Sequence, residues 1–202
     1  MYTETIDVAN RVGSSPITMR AVSRLSQAIA EGDGISILVE VGDAAGANAA
    51  EREGADGLGV RRDADAVRAS SQLPLLHLGG TGEASVQSAD AVVVSGSTAW
   101  EQGRALGLEC VVRVSDSDDL ERMLAELDPE IFLLAVGPDS DEDPLEVLLA
   151  LLHDVPAGKL AIADLHDATA EDVAELERAG VDGVLVAAGN VGSLVGVEPP
   201  DV

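Results

Sequence analysis

A set of polar side chains stands at the ends of apolar runs: Glu40, Arg61, Arg62, His77, Ser95, Ser97, Arg113, Asp164, His166 and Asp167. Glu40, Arg113 and Asp164 have a pattern. Each alternates with apolar neighbours near the end of its run, so each should point to the same side of a sheet. Two carboxylates and a guanidinium on one face permit different chemistries. The carboxylates could exchange protons with a bound molecule. The arginine could hold an anion through its planar fork of donors. The alternative is structural, with Arg113 buried between Glu40 and Asp164 as an ion-pair plug. Glu40, Arg113 and Asp164 are therefore the catalytic candidates.

His166 and the stretch Gly189-Asn190-Val191-Gly192-Ser193 are the binding candidates. A glycine-rich turn can offer backbone N–H groups to a phosphate or carboxylate, or can simply close the fold. His77, His166 and Asp164 are side chains of metal-ligating type. His77 is out of phase with the inward positions, however, and is expected to face helices. No metal and no cofactor are expected. Arg61-Arg62 reads as a solvated loop pair, and the acid runs 116–121 and 139–143 read as solvated faces.

These side chains meet only if distant strands are brought together. The stretch 160–189 shows how. Residues 160–165 form an apolar run and 181–187 a second one. Between them, Val173, Leu176 and Ala179 recur at helical spacing opposite Glu171, Asp172, Glu175 and Glu177. Thr169 is placed to cap that helix and Gly180 to stop it. Such a strand–helix–strand unit demands a parallel sheet. The same alternation gives strands over 35–41, 57–60, 73–78, 89–95, 108–114 and 130–136. Helices are expected over 16–30, 44–53, 64–71, 98–106, 117–127 and 144–152, with at most two helical turns over 82–88.

Eight strands alternating with helices predict an α/β fold, a compact (β/α)8 TIM barrel, in one domain over 1–202. Its loops are trimmed, an extra helix precedes the first strand, and the eighth helix is reduced or absent. Residues 1–15 read as a flexible arm and 194–202 as an irregular tail. An open doubly wound sheet is the rival, but the first strand ends in Glu40-Val41-Gly42-Asp43, without a glycine-rich fingerprint.

Composition narrows the partners. With 37 acids against 12 bases and a net charge of −25, neither nucleic acid nor an anionic membrane is expected. No apolar run is long enough to cross a bilayer, and Cys110 is a lone cysteine. A cytoplasmic protein is expected. Lys159 is the sole lysine, and aromatics make up 1% of the chain. An acidic, lysine-poor surface fits a high-salt habitat, where the Debye length falls to about 3 Å and self-repulsion is screened.

Several segments resemble indole-3-glycerol phosphate synthase. Leu25-Ser-Gln-Ala-Ile-Ala followed by Gly34-Ile-Ser-Ile-Leu-Val-Glu-Val resembles that family's extra helix and first strand. Ser88-Ala-Asp-Ala-Val-Val-Val resembles its fourth strand, and Val111-Val-Arg-Val-Ser-Asp-Ser-Asp-Asp-Leu-Glu its fifth. The stretch 160–186 resembles the seventh and eighth. The resemblance implies tryptophan biosynthesis, a carbon–carbon lyase and a small phosphorylated metabolite. It places the family's first-strand glutamate at Glu40. It also places two catalytic lysines at Gly42 and about Leu78, a glutamate at Arg113, an asparagine near Ala135, a glutamate at Asp164 and a serine at Leu165. Phosphate-binding positions fall at about Ala45, His166 and Ala187-Ala188. With no lysine left to donate a proton, the chain reads as a degenerate member that does not close the indole ring. At most it retains an anion site at the rim. The alternative is an active lyase or isomerase using Glu40 and Asp164. A trimmed eighth helix would leave an apolar flank, so a homo-oligomer is also expected.

Overall fold

The computed structural model describes residues 23–138, 140–189 and 191–194. The expected arm, the first part of the 16–30 helix, Asn190 and the tail from 195 lie outside the described residues.

Eight parallel strands close into a barrel in chain order. They are β1 (Ser36–Glu40), β2 (Gly57–Val60), β3 (Leu75–His77), β4 (Ala91–Val94), β5 (Glu109–Val114), β6 (Ile131–Leu134), β7 (Leu160–Asp164) and β8 (Gly183–Ala187). Closure is made by β1 against β8, with Leu38 opposite Leu185 and Glu40 opposite Ala187. Around the barrel run α2 (Ala44–Arg52), α3 (Ala64–Ser70), α4 (Ser97–Ala105), α5 (Ser117–Leu127), α6 (Pro144–Asp154) and α7 (Ala170–Ala179). Between β3 and β4 there is only a 3-10 turn, Ala84–Ser88. After β8 comes a four-residue helix, α8 (Val191–Leu194).

Strand alternation divides the apolar side chains into two cores. Leu38, Leu76, Val93, Val111, Leu133, Ile162 and Leu185 fill the barrel. Val39, Val60, Val92, Val112, Phe132, Ala163 and Val184 pack outward against the helices. Helix α1 (Arg24–Glu31) plugs the end where the strands begin, inserting Leu25 and Ile29 into the inner core. Glycines make room within it. A Cβ on Gly59 would lie 3.0 Å from Leu185 Cδ1 and 3.1 Å from Leu78 Cδ1, so the two leucines occupy that side-chain position.

The same floor carries a repeated clasp. Asp56, Asp90 and Asp182 each immediately precede an even-numbered strand. Their carboxylates accept from the N–H of Ile37 at 2.8 Å, Leu75 at 2.9 Å and Ala161 at 2.8 Å. In each case the aspartate's own N–H donates back to the same residue's carbonyl at 2.9 Å. Asp90 is also held by Arg24 and Arg68. At the N-terminal face of a barrel, such clasps serve stability.

The helix boundaries have local causes. Thr169 and Asp172 form a capping box on α7, and Gly180 ends it at φ +97°. Two residues expected merely to solvate acid runs are caps: Asp116 accepts from Asp119 N–H, and Asp143 from Leu145 and Glu146 N–H. On α7 only Val173 and Leu176 of the expected apolar face are buried. Val184, Val186, Ile37 and Val39 are buried, as are Val191 and Leu194 of α8. Among the described residues Leu106 is the one exposed large hydrophobic side chain.

Candidate functional site

The C-terminal ends of the strands carry the polar set. Glu40 continues the inward face of Leu38, Arg113 that of Val111, and Asp164 that of Ile162. Arg61 continues the inward phase of Gly57 and Gly59, one residue past β2. His166 lies two residues beyond Asp164. Its backbone is held by β8, through Ala187 N–H donating to His166 carbonyl at 3.0 Å.

These five side chains form one chain of contacts across the barrel mouth. Arg61 Nε donates to Glu40 Oε1 at 2.7 Å and Nη2 to Oε2 at 2.9 Å. His166 Nε2 lies 3.1 Å from Glu40 Oε2 and 3.5 Å from Asp164 Oδ1. Arg113 Nη1 donates to Asp164 Oδ2 at 3.0 Å. Small residues allow the span. By alternation Ala187, opposite Glu40 in register, is an inward residue of β8, and Ala135, one residue past β6, continues the inward phase of Leu133. Larger side chains there would fill the gaps that the ion pairs cross.

One sequence expectation changes and another is extended. Arg113 does not sit between Glu40 and Asp164; among the described residues it pairs with Asp164. Arg61 is, as expected, an exposed residue of the bend after β2, but it also clamps Glu40, while Arg62 is exposed beside it. The signal for Arg61 was present in the alternation Gly57, Gly59, Arg61, but it lies just past the apolar run that marks the strand.

His77 is on the other face. It lies between Val60 and Val92 in register, wholly buried in the helix-facing layer. It therefore cannot converge with His166 and Asp164 on a metal. No group of three or more potential metal ligands occurs among the described residues. His77 Nδ1 accepts from Gly79 N–H at 3.2 Å, and Nε2 is buried without a partner. Burial lowers its pKa, only partly opposed by the charge of Glu83.

Electrostatics at the mouth favour charged pairs. Burial alone would raise the Glu40 pKa, but the hydrogen bond and charge of Arg61, joined by His166, hold it below the usual carboxylate value. The Glu40 hydrogen bond raises Arg61 in turn, against its partial burial. Asp164 is nearly buried, with 9% of its side chain exposed, whereas Arg61 and Arg113 expose 51% and 40%. Their outer N–H groups reach a cavity of about 380 Å3 also lined by Val136, Pro144, Leu165 and His166. A second cavity of about 290 Å3 lies on the far side of Arg61, against Gly42, Arg62 and Asp63. Lysine is absent from this end. Lys159 is at the start of β7, with Nζ 2.7 Å from Asp128 Oδ1. Leu78, at a lysine position implied by the resemblance, packs in the inner core.

The turn after β8 places Gly189 at φ +116°, before α8. Gly192 and Ser193 lie exposed within α8; Asn190 is outside the described residues.

The closed parallel barrel with flanking helices is a compact (β/α)8 TIM barrel. No family model matches the chain. A stretch of 83 residues, 41% of this chain, is 37% identical to indole-3-glycerol phosphate synthase of Variovorax paradoxus (strain S110). That match spans 31% of the relative, so the chain covers under a third of the length of the curated protein it resembles. Among solved structures, the N-acetylmannosamine-6-phosphate 2-epimerase from Clostridium perfringens superposes with a TM-score of 0.62 at 12% identity. The superposition covers 75% of this chain and 86% of the epimerase, a likeness of fold. No helix among the described residues is long and apolar enough to cross a membrane.

Proposed function

We propose that this chain is an indole-3-glycerol phosphate synthase-like barrel that does not perform the family's ring closure and instead binds a small phosphorylated or carboxylated metabolite at its mouth. The observation that carries the reading is the pairing of every candidate acid–base group. Glu40 is clamped by Arg61, and Asp164 is held by Arg113. A general acid needs a transferable proton near the reacting atom. Glu40 is held ionised, and the sole lysine is at the opposite end of the barrel. Binding is supported by the half-exposed guanidinium groups beside His166 in one cavity with an apolar wall. Guanidinium forks suit phosphate and carboxylate oxygens. The reading includes the turn at Gly189, Asn190, Gly192 and Ser193 as a second contact for the anion.

The test is a melting series with inorganic phosphate and with the linear precursor of indole-glycerol phosphate, alongside a turnover assay. Stabilisation by both without indole formation supports a binding barrel. Turnover would reinstate the lyase reading, with Glu40 and Asp164 as its acid–base pair. Absence of any shift would remove the anion site. We also propose that the net charge of −25 reflects a chain adapted to fold in concentrated salt.

A further inference from the structure

We propose that the mouth takes a zwitterion: an α-amino acid with an apolar side chain, its carboxylate on Arg113 and its ammonium on Asp167. The inference rests on the carboxylated-metabolite reading above and names the class of that metabolite. The charges around the cavity decide it. Glu40 pairs with Arg61, and Asp164 with Arg113. Asp167 lines the same cavity, is exposed, and pairs with no other described residue. A bare anion is drawn to the guanidinium groups and repelled by Asp167. A bare cation meets the reverse. A molecule with both charges satisfies both ends.

The two arginines differ in what they have left to give. Arg61 uses Nε and Nη2, the edge that grips a carboxylate through two parallel bonds, on Glu40. Arg113 reaches Asp164 through Nη1. Its Nε and Nη2 donate to no other described residue, so its two-bond edge is open to a second carboxylate. Val136, Pro144 and Leu165 supply the apolar wall for a side chain. The volume, about 380 Å3, suits a small molecule. Neighbouring charges do not alter the balance. Asp143, beside Pro144, is engaged with the N–H groups of Leu145 and Glu146. Arg62 and Asp63 border the adjoining cavity and offset each other. His166 faces Glu40 through Nε2, and the assignment needs no charge on its ring. The whole chain points the same way. A net charge of −25 repels a free anion at a distance but not a molecule without net charge.

Leucine is the probe, with 4-methylpentanoate and 3-methylbutylamine as the same skeleton lacking the ammonium or the carboxylate. Titration calorimetry of the full chain, at neutral pH and constant ionic strength, should show leucine bound about tenfold more tightly than either. Asp167→Asn should lower leucine to the affinity of 4-methylpentanoate without weakening 4-methylpentanoate. Equal binding of leucine and 4-methylpentanoate by the unmodified chain, or an Asp167→Asn variant that keeps the preference for leucine, overturns the zwitterion and leaves the carboxylate site standing. Binding of 3-methylbutylamine as tight as that of leucine overturns both. If neither leucine nor 4-methylpentanoate binds, the zwitterion is overturned, and inorganic phosphate in the same titration shows whether the anion site stands without it. If the variant does not fold, the ranking of the three compounds on the unmodified chain decides.

Discussion

Arg61 grips both carboxylate oxygens of Glu40, Nε on one and Nη2 on the other. Both charges retain solvent contact, so the pair is worth little more than a surface bridge. Arg61→Ala should cost about 1 kcal/mol at neutral pH. The sign with pH follows from the lowered Glu40 pKa. That stability is present above the unfolded carboxylate value, about 4.3, and is lost as pH falls through the folded value. Urea unfolding of both proteins should show the gap closing in acid; a gap that persists there would mean that Arg61 acts through packing.

His77 should make the fold acid-sensitive in a different window. Its folded pKa is lowered by burial, so the native state prefers the neutral ring. Stability is full above the unfolded histidine value, about 6.5, and falls as pH drops below it. His77→Asn can keep an acceptor near Gly79 N–H while removing the titration. Between about pH 7.5 and pH 5.5 the variant should lose less stability than the unmodified chain. Equal losses would show that His77 takes up its proton as readily in the folded chain as in the unfolded one.

The floor clasps should rank by the number of partners they satisfy. Asp182→Ala strands one backbone donor and should cost about 2 kcal/mol. Asp90→Ala removes the acceptor for Leu75 N–H and the partner of both Arg24 and Arg68. It should cost more, about 3 kcal/mol. Denaturation midpoints at matched slopes test the order, and a reversal would contradict it.

Gly59→Ala places a methyl group against Leu78 and Leu185 at the distances given above. The barrel interior has no slack on that side, so overpacking should cost about 1–3 kcal/mol. An unchanged midpoint would mean that the two leucines rotate away freely.

The acidic surface predicts a strong salt response. The melting temperature should rise between about 0.1 M and about 2 M KCl, as the Debye length shrinks from about 10 Å toward a few ångströms. A flat profile would remove the high-salt reading.

The barrel was legible because its signal is local. The Gly57–Val60 and Ser117–Leu127 elements lie where apolar spacing puts them, and the weak helical signal over 82–88 corresponds to a 3-10 turn. Glu40, Arg113 and Asp164 face inward as alternation requires. Partner choice was not legible. Which arginine meets which carboxylate depends on the register of β1 with β2 and on two small residues, Ala135 and Ala187, whose importance is the space they leave. Arg61 was read only as a solvated loop residue because its strand has four residues and its inward neighbours are glycines. The caps Asp116 and Asp143 were hidden within runs of other acids, where composition conceals position.

The floor aspartates fasten the strands in twos: β1 with β2, β3 with β4, β7 with β8. The molecule thus has seams. A gene re-spliced to open between β2 and β3 would keep each fastening between near neighbours in the new chain. One opened between β1 and β2 would turn the Asp56 fastening into a meeting of far-apart segments, with a larger loop-closure cost. Circular permutants should therefore differ in how fast they refold, according to whether the cut respects a pair.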